Sequence, residues 1–105
     1  MNEWTGYKRE DAKKFIGKGW HALIDRLYDA KPEDVRVTDV KEKFGGLRFY
    51  VGAAPEEYDD LIIEAEEESY TICERCGKPG ELRPGGWIYT LCDDCEADKK
   101  PYVQW

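Results

Sequence analysis

The sequence predicts an α+β fold: a helix, a β-hairpin, an acidic helix and then a C-terminal four-cysteine zinc ribbon. Three observations carry the prediction. Apolar residues recur at helical spacing in two separate stretches, 20–28 and 58–69. Between them an alternating run is interrupted by Gly45-Gly46. All four cysteines fall between 73 and 95, as two C-x-x-C pairs with fifteen residues between them (77–91). The chain has 105 residues and no linker, repeat or low-complexity segment, which suits a single module. Its parts are an α+β region (1–72), the ribbon (73–95) and a tail (96–105).

Arg9 to Ile16 reads as a short helix with Phe15 and Ile16 turned inward. Gly17 and Gly19 interrupt it, because glycine costs about 1 kcal/mol in a helix interior. Trp20, Leu23, Ile24, Leu27 and Tyr28 then form one apolar helical face, and Lys31-Pro32 ends it.

Val35-Arg36-Val37 alternates and is rich in β-branched residues, so it starts a strand that continues through Val40 towards Phe44. Gly45-Gly46 supplies a two-residue turn. Leu47 to Val51 returns, with Leu47, Phe49 and Val51 on one face and Arg48 and Tyr50 on the other. Pro55 to Tyr70 is the second long helix, proline standing near its first turn. Tyr58, Leu61, Ile62, Ala65 and Ser69 form its inner face.

Cys73-Glu74-Arg75-Cys76-Gly77 reads as a knuckle, Gly77 allowing a tight turn whose N–H groups face the thiolates. Glu81-Leu82-Arg83 and Trp87 to Leu91 read as two strands, and Cys92-Asp93-Asp94-Cys95 closes the site. Cys73, Cys76, Cys92 and Cys95 would fill the tetrahedral shell of one zinc ion, leaving no position for water, so the zinc is expected to be structural. Only five residues separate Cys95 from Pro101, which excludes a long following helix and favours a ribbon over a treble clef. Two disulfides, a redox C-x-x-C and iron are the competing readings. Arg75 and Lys78 are expected to offset thiolate charge.

The net charge is −7, but it is unevenly placed. Residues 1–54 carry +2, 55–72 carry −8 and 73–105 carry −1. Within the acidic helix Glu56, Asp60, Glu64 and Glu68 stand at successive i+4 steps, and Glu66 to Glu68 lie near the end where the helix dipole disfavours anions. With Glu67, these residues form either a solvated face or a docking surface for a basic protein. Lys41, Lys43 and Arg48 form a small basic patch. It protects an edge strand, contacts the acidic helix, or meets phosphate. The overall acidity weighs against nucleic acid and membrane surfaces as general partners.

His21, the single histidine, reads as a boundary residue, and no catalytic set assembles around it. The reading is therefore non-enzymatic, with a carboxylate-based enzyme as an outside alternative. Trp20 and Trp87 fit core positions; Trp4 and Tyr102 to Trp105 are packed or serve as a partner's anchor. No apolar run approaches a membrane span and no secretion signal is visible, and metal-binding thiols imply a reducing compartment, so a cytoplasmic location is expected.

Gly19-Trp20 with its helix, the stretch Val40-Lys41-Glu42-Lys43-Phe44-Gly45-Gly46-Leu47-Arg48-Phe49-Tyr50 and the paired cysteines resemble small uncharacterised bacteriophage and prophage proteins over roughly residues 17–95. The resemblance implies an accessory protein in a host bacterial cytoplasm and brings no catalytic residues. The expected function is binding, and modulating or inhibiting, a host protein, with an anti-defence role such as blocking a nuclease as one version. The alternative is a nucleic-acid-binding zinc ribbon acting in transcription or phage DNA metabolism.

Overall fold

The computed structural model describes residues 4–98, so the Tyr102 to Trp105 tail lies outside the described residues. The element order is α1 (Arg9–Lys14), a 3₁₀ turn (Lys18–Trp20), α2 (His21–Ala30), β1 (Val37–Lys43), β2 (Gly46–Val51), α3 (Glu56–Ser69), β3 (Glu81–Arg83), β4 (Tyr89–Leu91) and α4 (Asp93–Asp98). The mixed α+β architecture is the predicted one, with two separate antiparallel hairpins, β1–β2 and β3–β4.

The glycines break the N-terminal helix as expected, and α1 is clamped to α2 by charge. Arg9 reaches Asp25 at 3.0 Å and Asp29 at 2.7 Å, and Lys13 reaches Asp25 at 2.7 Å. Phe15 departs from the prediction. It is 46% exposed and meets Tyr7 edge-on, because α1 ends at Lys14 and the residue falls past the inward stripe. Trp20 of the 3₁₀ turn and Leu23, Ile24 and Leu27 of α2 are buried in one cluster with Val40, Leu47 and Phe49 of the hairpin and Tyr58, Ile62 and Ala65 of α3.

The first hairpin turns one residue earlier than predicted. Lys43 pairs with Gly46, and the loop is Phe44-Gly45, both at positive φ (55° and 82°), the twist that suits a two-residue hairpin. Gly46 is a glycine for another reason: a Cβ there would collide with the Tyr70 ring. The face assignment holds, with Leu47 and Phe49 buried and Tyr50 exposed. Both edges are blunted. Leu47 N–H donates to Ser69 Oγ at 2.9 Å and Phe49 N–H to Glu66 Oε2 at 2.9 Å, so side chains of α3 satisfy the outer edge of β2. In β1 the register shifts between Val37 and Asp39.

Helix α3 buries a narrow stripe, Tyr58, Ile62, Ala65 and Ser69. Leu61, predicted inward, sits on its flank and is 39% exposed. Trp87 is corrected more sharply. It lies in the loop before β4, which starts only at Tyr89, and is 64% exposed rather than in the core.

Candidate metal centre

The approach to the first cysteine pair is fixed by contacts with α2 and its preceding turn. Trp20 Nε1 donates to the carbonyls of Ser69 (3.2 Å) and Ile72 (3.0 Å), and Gly19 N–H donates to the Glu74 carbonyl at 2.9 Å. The knuckle closes through Cys73 N–H to the Lys78 carbonyl (2.7 Å) and Gly77 N–H to the Cys73 carbonyl (2.9 Å), Gly77 adopting φ 87°. Glu74 joins the knuckle to β4. Its backbone N–H donates to the Thr90 carbonyl, and its carboxylate accepts from Thr90 N–H, both at 3.0 Å. Burial pushes the Glu74 carboxyl up to about 7 even with that donor. Thr90 Oγ1 in turn donates to the Gly45 carbonyl at 2.6 Å, so the turn of the first hairpin is fastened to the second.

The second pair lies at the start of a helix. Cys92 precedes α4, Cys95 lies in its first turn, and Cys95 N–H approaches Cys92 Sγ at 3.4 Å. The sequence excludes a long helix here, and α4 has six residues; the second pair nevertheless rests on a helical turn and not on a second knuckle. Arg83 holds this end together by donating to the Leu91 carbonyl and to Asp93 at 2.8 Å. Lys78, expected beside the thiolates, stands 3.7 Å from Asp94 at the surface.

The four sulfurs lie within 4.8 Å of one another, and Cys76 and Cys92 are 3.6 Å apart. A tetrahedral zinc with Zn–S bonds of about 2.3 Å sets its sulfurs about 3.8 Å apart. The thiols are unbonded to each other and the donor set is all sulfur, so the residues fit one tetrahedral metal ion. Burial disfavours the Cys73 thiolate, but backbone N–H groups of Cys92, Cys76 and Arg75 outweigh it and lower the thiol to about 6. Cys95 is pushed up to about 12 by burial and by the neighbouring thiols. A cation among the sulfurs is what would let Cys95 ionise beside its neighbours.

The other predicted residues are only partly brought together. Glu56, Asp60, Glu64 and Glu67 are exposed on α3, whereas Glu68 is drawn into an ion pair with Arg26 at 2.9 Å. Lys41 pairs with Asp39 at 3.4 Å and lies over the Tyr50 ring, and Lys43 is exposed. Arg48 folds back onto the Leu47 carbonyl and the Tyr70 hydroxyl, so it sides with the end of α3. His21 Nε2 meets the Lys13 carbonyl at 2.8 Å, a boundary position. Sequence reasoning passed over Glu74, Thr90 and Ser69, which tie the parts together. Only the polarity of Ser69 on a buried helical stripe hinted at this. Among the described residues no helix is long and apolar enough to cross a membrane. No family model matches the chain, and neither the curated proteins nor the solved structures give a match.

Proposed function

We propose that this chain is a non-catalytic, zinc-stapled binding module that presents the outer face of α3 to a basic protein. The observation that carries this reading is the composition of that face. Ile63 is 51% exposed, and its helical neighbours at i−7, i−4, i−3 and i+4 are Glu56, Asp59, Asp60 and Glu67. Leu61, half out on the other flank, has Glu57, Glu64 and Glu68 at i−4, i+3 and i+7. An apolar knob inside a charged rim is the anatomy of an interface, where the rim steers the encounter and the knob desolvates. Zinc bound by Cys73, Cys76, Cys92 and Cys95 would have no open position, so its part is to hold α3 and the hairpins in place.

The resemblance to phage and prophage proteins supports a bacterial host protein as the partner, with modulation or inhibition of it, including of a defence nuclease, as the outcome. The test is affinity capture from bacterial lysate with the zinc-loaded chain, parent beside an Asp60→Lys/Glu64→Lys variant. A partner lost on charge reversal and at high salt is expected. Partners captured equally by both proteins would overturn the acidic-docking reading.

A further inference from the structure

The turn of the first hairpin holds an anomaly that neither packing nor the metal accounts for. Phe44 occupies the left-handed region (φ 55°), which a bulky side chain adopts only at a cost, and the ring is 65% exposed. Asparagine or glycine would make the same turn without strain. The turn is held rigidly all the same. Gly45 N–H donates to Glu42 Oε2 at 2.8 Å, its carbonyl accepts from Thr90 Oγ1, and a Cβ on it would run into Leu82 and Ile88 of the second hairpin. A strained residue fixed in place with its ring in solvent points to a contact.

The surroundings say with what. Along the strands that lead to the turn, Lys41, Lys43 and Tyr50 occupy the positions that alternate with the buried Val40 and Phe49, so they share the face turned away from the core. Tyr50 is 40% exposed. Trp87, 64% exposed, adjoins Ile88, which touches the turn. Two exposed aromatic residues, Phe44 and Tyr50, and two lysines therefore lie along one face and its tip, and Trp87 is the chain neighbour of Ile88 beside the turn. Aromatic platforms interleaved with cations suit unpaired bases and their phosphates. The net charge of −7 opposes this only weakly here, because the acidic excess sits on α3. The carboxylates of that helix are exposed, apart from Glu66, which accepts from Phe49 N–H. The helix's own width of about 10 Å is about one Debye length at physiological salt.

We infer that the outer face of β1–β2, with Phe44 at its tip, binds single-stranded nucleic acid by stacking bases on Phe44 and Tyr50 while Lys41 and Lys43 meet the phosphates. With so few cations, stacking rather than charge sets the affinity. Asp39, paired with Lys41, reduces the charge further.

The test is fluorescence anisotropy of the zinc-loaded full chain with labelled oligo-dT and oligo-U at low salt, beside a duplex of equal length. Binding to either single strand in preference to the duplex is expected, with log K falling against log salt at a slope of about −2 or shallower. Phe44→Asn relieves the strained turn and removes the ring. It is expected to melt no lower than the parent and to bind about tenfold more weakly. Lys41→Glu/Lys43→Glu is expected to lose binding as well. No binding at low salt, equal affinity for duplex, or full affinity in Phe44→Asn would overturn the inference. So would the absence of oligonucleotide binding together with protein capture that depends on Phe44, which would make this face a protein contact.

Discussion

The indole Nε1 of Trp20 reaches the carbonyl of Ile72 at 3.0 Å, one residue before the first cysteine of the metal centre. The same N–H is shared with the carbonyl of Ser69. The turn that leads into α2 therefore grips the end of α3 and the approach to the knuckle at one point. Trp20→Phe keeps most of the buried ring but takes the indole donor from the Ile72 carbonyl, while the Ser69 carbonyl keeps the Ile72 N–H. A loss of about 1–3 kcal/mol is expected. Chemical denaturation of the zinc-loaded protein measures it, and an unchanged midpoint would show that the indole only fills space.

Gly19→Ala tests the neighbouring contact. A Cβ at Gly19 would overlap the Cys73 carbonyl oxygen, and that oxygen belongs to backbone that cannot rotate aside. The knuckle must shift or detach, at about 1–3 kcal/mol or more. Weaker zinc retention against a competing chelator is expected together with the lower melting temperature.

Removing the metal should loosen the molecule unevenly. Cys73, Leu91 and Cys92 form their own small cluster, separate from the large core around Trp20, Ile24 and Phe49. Chelation is expected to release one zinc per chain and to speed amide exchange across residues 73–98 before the amides of α2 are affected. Native mass spectrometry and hydrogen exchange read these two outcomes. Simultaneous loss of protection throughout would make the zinc essential to the whole fold.

Ser69→Ala addresses the edge of β2. Ser69 is fully buried, its Oγ receives Leu47 N–H, and the hydroxyl donates to the Glu66 carbonyl at 2.5 Å. Alanine leaves that N–H buried and unpaired, an expected cost of about 1–3 kcal/mol. Equilibrium unfolding gives the number; a near-neutral result would mean that another acceptor takes over.

Two tyrosines predict an alkaline limit. Burial pushes the Tyr28 hydroxyl up to about 12, and burial raises Tyr58 further. Tyr28 donates to the Tyr7 carbonyl at 2.6 Å and Tyr58 to the Leu27 carbonyl at 2.7 Å. Both groups bind their proton more tightly in the folded chain than the ordinary value of 10.0 implies. Their contribution is complete below pH 10 and is lost as pH rises towards 12 and beyond. Thermal melts over this window should fall more steeply for the parent than for Tyr28→Phe/Tyr58→Phe. Parallel curves would contradict the assignment.

Much of this was legible along the chain because it depends on local order. The inward stripes of α2 and α3, the alternation of Leu47, Phe49 and Val51 and the two cysteine pairs are set by periods of 3.6 and 2 and by ligand spacing. The turn slipped by one residue because Gly45 and Gly46 look alike in sequence, although one is needed for its positive φ and the other for clearance from Tyr70. The pattern alone places Trp87 and Leu61 inward, and the structure exposes both, because apolar character does not say whether a residue reaches the core. The sequence by itself determined the types of the long elements, the grouping of the four cysteines and the concentration of acid in α3. Only the tertiary structure decided which carboxylates are spent internally: Glu66 on the edge of β2, Glu68 on Arg26 and Glu74 on Thr90. It alone exposed Phe44, Ile63 and Trp87. The reason is that pairing and exposure depend on residues distant in sequence, and their positions follow from how the core closes.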